Sequence, residues 1–190
     1  MAKFHPDIDL LTEYTAGTLP LAQAACVSAH LNYCSHCGRT VEQLEDVGAA
    51  LFDNLQGEPV GDVQLNAVLA RLDDAPPLRH SRPESAASGR TPGILQRLMR
   101  GDYTEVDWKK ITKSLSISYL KTGDPNFEFA LYHIKAGGKS PEHTHRGTEM
   151  TLVLEGGFSD AEGSYHQGDF IFRSVDDVHA PTAVQSEDCI

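Results

Sequence analysis

The sequence predicts an α+β chain of two domains, a helical one followed by an all-β one. Three observations predict it. Apolar residues recur every three or four positions as far as residue 73, then alternate from about residue 114. Between these regions, 75–93 is rich in Pro, Ser, Ala and Arg and has no period, which marks a linker. Each half also carries its own cluster of His, Cys and Glu: His5, His30, Cys34 and Cys37 in the first, His143, His145, Glu149 and His179 in the second. The domains are therefore expected at 1–74 and 94–190.

Four helices are expected in the first half. Asp7 can cap a helix over 7–17 with Leu10, Leu11 and Tyr14 on one stripe, and Gly17 stops it. A second, over 20–31, carries Ala24, Val27 and Leu31 at helical spacing. A third, over 35–55, repeats Val41, Leu44, Val47, Leu51 and Leu55 along one face and ends at Gly57-Glu58-Pro59. The fourth, over 62–73, has a wide stripe of Val63, Leu65, Val68, Leu69 and Leu72. That stripe packs on the first three helices or docks on a partner. The partner reading is preferred, with Leu65, Val68, Leu69 and Leu72 as its contacts.

In the second half, 114–121 and 127–135 alternate, and 150–154 and 170–172 are short apolar runs. Turns containing Gly123, Gly137-Gly138, Gly156-Gly157 and Gly168 separate them. Short strands at such spacing indicate a sandwich or barrel.

A chain of 190 residues suffices for two small domains. No apolar run is long enough to cross a bilayer, and the N-terminus lacks the apolar core of a signal peptide. A cytoplasmic location is expected, where four cysteines (Cys26, Cys34, Cys37, Cys189) argue against a disulfide framework. The net charge of −11 excludes DNA and anionic membranes as natural partners. Residues 1–80 hold four Lys/Arg against eleven Asp/Glu, a balance of −7, which suits a basic protein surface or simply a solvated one.

Cys34 and Cys37, three apart at a helix start, put both thiolates on one side of a turn. His30 ends the preceding helix, and His5 can close a tetrahedron: a Cys2His2 structural zinc site, with a redox pair as the alternative. Zinc would staple a domain too small for a large core. Cys26 is expected in the core and His36 in solvent. This pattern, with Leu11-Thr12-Glu13-Tyr14-Thr15-Ala16-Gly17-Thr18-Leu19 ahead of it, resembles the zinc-containing anti-sigma factor domain. The resemblance implies binding to an extracytoplasmic-function sigma factor, whose access to RNA polymerase and promoter DNA the domain blocks.

His143 and His145 are two apart on a strand and face one way, Glu149 follows on the next strand, and His179 on a later one. Three imidazoles and a carboxylate suit zinc or another divalent transition metal: Fe, Mn, Ni or Cu. Gly137-x5-His143-x-His145-x3-Glu149-x6-Gly156 is similar to the first cupin motif, which implies a cupin barrel. The second motif departs from the family: Gly168 and His179 are in place, but Ser174, Asp176 and Ala183 stand where it usually has Pro, Gly and Asn. His133 and His166 match no motif position and are expected at the surface or in strands.

Joined, the two halves resemble zinc-binding anti-sigma factors with a C-terminal cupin domain. The resemblance implies a helical domain that suffices to inhibit and a cupin needed for release under singlet oxygen. It also implies a further segment beyond Ile190, which falls inside what reads as a strand. Oxidation at the cupin metal, at Cys189 or at Cys34 and Cys37 are three open routes, although Cys189 also reads as an ordinary buried strand residue. The rival readings are a cupin dioxygenase or isomerase with a helical attachment, and a module that binds a small oxidised metabolite.

Overall fold

The computed structural model describes residues 2–59, 61–72, 91–144 and 147–190. Most of the expected linker lies outside these residues, as does His145.

Helices α1 (Ile8–Thr15), α2 (Leu21–His30), α3 (Ser35–Asp53) and α4 (Asp62–Leu69) come first. The Asp7 carboxylate accepts the Leu10 N–H at 2.8 Å and starts α1, and Gly17 at φ +70° ends its turn. Helix α5 (Gly93–Met99) was not expected. At seven residues it is too short to show a period, but Pro92 precedes it, in the place where a fixed φ favours a helix start.

The strands are β1 (Lys109–Lys110), β2 (Leu115–Tyr119), β3 (Ala130–Ile134), β4 (Glu149–Leu152), β5 (Gly157–Ser159), β6 (Ser164–His166), β7 (Phe170–Arg173) and β8 (Thr182–Ala183). They form three antiparallel sheets ordered β1-β2-β3, β4-β7 and β6-β5-β8. Isolated bridges at Ile134–Cys189, Lys139–Thr182 and His143–His179 extend the pairing beyond the strands, and the described residues make a β-rich domain without one closed ladder. Its core gathers Leu115, Ile117, Ile134, Val153, Phe158, Tyr165, Ile171, Ala183 and Cys189.

Of the two readings of the fourth apolar stripe, packing on the first three helices is not seen. No residue of α4 is buried, and Val47 and Leu51 on the second half of α3, with Leu55 just beyond it, are exposed as well. The β domain takes the place of a fourth helix. Phe170 of β7 is buried among Leu10, Leu11, Val27 and Val41, with Leu152 and Met150 of β4 beside it. In the β4–β7 register, Leu152 faces Phe170 and Met150 faces Phe172, so these four side chains share one face of the sheet. Ile171, on the opposite face, belongs to the β core. A strand covered on both sides has no alternation to display, which is why 170–172 reads as a plain apolar run.

On its other flank, α2 buries Ala29 against Leu95, Tyr103, Leu131 and Leu154 of the β domain. The two halves are thus packed together rather than merely tethered. Gly168 sits in this seam at φ +90°, and a Cβ there would stand 2.7 Å from the Cβ of Tyr33. The Gly168→Ala variant is expected to lose about 2 kcal/mol through left-handed strain and that collision, read as a lowered thermal midpoint.

Candidate metal centres

The junction of α2 and α3 builds the first site. His30 is the last residue of α2, and Cys34 is the N-cap of α3, its sulfur accepting the Cys37 N–H at 3.5 Å. This turn aims both thiols at the end of α2. His5 arrives on the N-terminal segment, its Nδ1 3.4 Å from Cys34 Sγ and 3.5 Å from Cys37 Sγ. His30 Nε2 lies 3.4 Å from Cys37 Sγ. A tetrahedral zinc with ordinary Zn–S and Zn–N bonds places N and S about 3.6 Å apart, so the four donors fit the ion. His30, Cys34 and Cys37 are buried, whereas His5 is exposed.

The imidazole orientation is set from across the seam. His30 Nδ1–H donates to the Gly168 carbonyl at 2.8 Å, which leaves Nε2 with its lone pair toward the thiols. Burial holds the His30 pKa below its ordinary value, so the ring is neutral, as a ligand must be. Burial, helped by the neighbouring Cys34, pushes the Cys37 thiol up to about 12. Metal uptake here therefore displaces protons. Cys26 is a buried core residue with its thiol likewise pushed up to about 12 by burial, and His36 is exposed, both as expected.

The second cluster joins His143, Glu149 and His179, whose donor atoms lie within 4.8 Å of one another. The backbones of His143 and His179 exchange hydrogen bonds of 3.1 and 3.2 Å, and their Nε2 atoms stand 3.2 Å apart. His143 Nδ1–H donates to the Pro141 carbonyl at 2.9 Å, which fixes its tautomer with Nε2 inward. Glu149 opens β4, and its Oε1 accepts the Thr151 hydroxyl at 2.6 Å. The donors suit a divalent transition metal.

Sequence reasoning missed a charged network behind this cluster. Opposite Glu149 in the β4–β7 register, the buried Arg173 donates to Asp160 and to the Tyr165 hydroxyl, each at 2.7 Å, and to Glu162 at 2.5 Å. Asp160 Oδ2 is also 3.6 Å from His179 Nδ1. Burial alone would raise the Asp160 carboxyl, but Arg173 and the backbone N–H groups of Glu162 and Gly163 hold it below the usual range. Only the spacing of Asp160 to the ligands in space, not in sequence, gives it away.

Other residues singled out from the sequence fall as follows. Cys189 is buried in the β core, bridged to Ile134, with its thiol pushed up to about 12 by burial. His133 on β3 pairs with Asp188 at 2.7 Å, and His166 is exposed on β6. Leu65, Val68, Leu69 and Leu72 are all exposed and touch neither metal cluster.

The ChrR Cupin-like domain family matches residues 96–190, and a zinc-finger family matches 8–38. The chain is 31% identical to the anti-sigma-E factor ChrR of Cereibacter sphaeroides over 188 residues, 99% of this chain and 87% of that protein.

The chain belongs to the ChrR family. Its fold superposes on the crystal structure of Rhodobacter sphaeroides SigE in complex with the anti-sigma ChrR with a TM-score of 0.84 and 30% identity, covering 100% of this chain and 96% of that one. KdgF from Halomonas sp. covers 46% of this chain and 83% of its own at 18% identity, with a TM-score of 0.41. The zinc-finger match begins at residue 8, so His5 lies ahead of it.

Two outcomes test the sites. Cys37→Ala is expected to abolish zinc in the first site and melt the N-terminal helices while the β domain keeps its fold, read by metal content and circular dichroism. Arg173→Met strands the Asp160 carboxylate in the interior and is expected to cost about 3–5 kcal/mol at pH 7. Because the Asp160 pKa is depressed, its stabilisation is present above about pH 3.9 and lost as pH falls through the folded value. The stability gap between wild type and Arg173→Met should therefore hold from pH 7 to pH 5 and narrow as the pH falls below about 3.9, read from unfolding midpoints across that range.

Proposed function

We propose that this chain is a cytoplasmic anti-sigma factor that captures an extracytoplasmic-function sigma factor and releases it under oxidative stress of the singlet-oxygen type. The observation that carries the reading is a surface. Val47, Leu51 and Phe52 on the second half of α3, Leu55 just beyond it, and Val63, Leu65, Val68, Leu69 and Leu72 on and after α4, stand exposed. Two neighbouring stretches of the chain that leave so many large apolar side chains to water suit a partner that covers them. Its surroundings are acidic, which suits a basic partner and steers association. The ChrR relative was solved with SigE, and an extracytoplasmic-function sigma factor is the partner proposed here.

In this reading 1–74 is the inhibitory domain, 75–93 the linker, and 94–190 a cupin barrel whose walls are the three small sheets. His5, His30, Cys34 and Cys37 hold a structural zinc, which supplies folding energy to the helices around it. His143, His145, Glu149 and His179 hold a second divalent metal in the cupin. The chain acts as a regulator rather than an enzyme. Among the described residues no helix is long and apolar enough to cross a membrane.

Release follows from oxidation at the cupin metal or at the zinc thiolates. Cys189 is the weakest of the three routes, because a buried, protonated thiol is a poor nucleophile. The domains are packed, so release requires their interface to loosen, not merely a linker to swing.

Full-length chain co-expressed with its candidate sigma factors is expected to retain one of them through purification. The Leu65→Asp/Leu69→Asp double variant should lose at least tenfold in affinity while keeping its metal content and melting temperature. Retention of full affinity by that variant, or failure of wild type to capture any sigma factor, sinks the reading.

A further inference from the structure

The four donors of the first site are held in two different ways. Cys34 and Cys37 are fixed by the start of α3, within the helical domain. The two histidines are fixed by three consecutive residues of the β domain, Gly168, Asp169 and Phe170. The Gly168 carbonyl accepts His30 Nδ1–H at 2.8 Å. The Asp169 carboxylate, only 2% exposed, accepts with Oδ1 the backbone N–H groups of Lys3 at 2.5 Å and Phe4 at 3.1 Å. Its Oδ2 accepts the N–H of His166 at 2.9 Å, tying it to its own domain. The Phe170 N–H donates to the Phe4 carbonyl at 3.0 Å, and the Phe4 ring packs on Tyr165 at 5.1 Å between centroids. His5 is the next residue.

We propose that Asp169 is a positioning residue for the N-terminal metal centre: from the β domain it holds the segment that carries His5, so the centre is assembled jointly by the two domains. This rests on the zinc reading of the four donors and adds to it. Without Asp169 the segment loses two charge-assisted hydrogen bonds and keeps the Phe4–Phe170 pairing and the apolar packing of Ala2 and Phe4. His5 is itself exposed, and its ring meets the rings of His30 and His36 edge-on at 5.7 and 5.6 Å between centroids, so the backbone of the segment sets how well it reaches the thiols. The coupling is reciprocal: whatever loosens the seam weakens metal retention, and loss of metal loosens the seam. A change in the β domain thereby reaches the helical domain through a ligand, with no need for the linker.

The test uses the full-length chain loaded with Co2+ in place of zinc. Thiolate-to-cobalt charge transfer reports only the site that contains cysteines and ignores the cupin cluster. Decay of that band in excess EDTA is followed for wild type, Asp169→Ala, Asp169→Asn and Asp188→Ala. Asp188 is the matched control, a β-domain carboxylate that accepts from His133 and the Ala136 N–H and touches no part of the N-terminal segment. Asp169→Ala is expected to release cobalt roughly tenfold to a hundredfold faster than wild type, with Asp169→Asn intermediate and Asp188→Ala unchanged. Hydrogen exchange at the Lys3 and Phe4 amides should rise in step in the Asp169 variants. Release at the wild-type rate from a folded Asp169 variant, or equal acceleration in Asp188→Ala, overturns the proposal. Should Asp169→Ala not fold, the isosteric Asp169→Asn decides by the same readout. A wild-type chain with no charge-transfer band would instead remove the zinc reading, and this inference with it.

Discussion

A buried carboxylate must be surrounded by hydrogen bonds, and Asp169 finds two of its three across a domain seam. That constraint organises much of the molecule. The N-terminal segment cannot leave without stranding the charge, so it stays as an extra strand-like partner of Phe170. With the segment in place, Phe4 covers Tyr165 and His5 reaches the thiols. With Gly168 in place, His30 has the tautomer a ligand needs. The helical domain thus borrows from the β domain both a floor for its core and half the support of its metal centre.

Strand β7 serves both clusters. At one end Phe170 lies edge-on to His30 with ring centroids 5.8 Å apart; at the other Arg173 faces Glu149 in the register. Three residue steps of extended backbone span only about 10 Å. Arg173 also reaches Asp160, which neighbours His179, and Tyr165, against which Phe4 packs. The two candidate metal clusters are therefore joined by one short strand and one buried polar network. Spatial continuity alone is not coupling, but here the strand ends against a candidate ligand of each cluster, His30 at one end and Glu149 at the other.

The helical domain is small, and its core is smaller than the helical periodicity suggests. Val41 of α3 is buried and Leu44 partly so, while the apolar residues beyond them stay in solvent. Such a module gains stability from a metal, from the β domain and from a bound partner in turn, and removing any one makes it depend more on the others. That dependence is a useful property in a regulator that must let go.

Helical and strand periods, the Asp7 cap, the turn glycines and the spacing of Cys34 to Cys37 are local quantities, so the sequence alone determined the class of each half and the candidate donors. The 170–172 run was legible as apolar but not as a strand with two covered faces, because one face is covered by helices more than a hundred residues away. The same separation hid Asp169, whose partners Lys3 and Phe4 lie 166 and 165 residues from it. Arg173 and Asp160 were invisible for a like reason: a charge reads as surface until the fold encloses it. Helix α5 was missed because seven residues carry too little periodicity, and α4 was read as long as its apolar pattern, although it ends at Leu69 with nothing packed upon it. Chain-local chemistry named the candidate donors; only the tertiary structure decided which domain positions each of them, because that depends on hydrogen bonds between segments no sequence window contains.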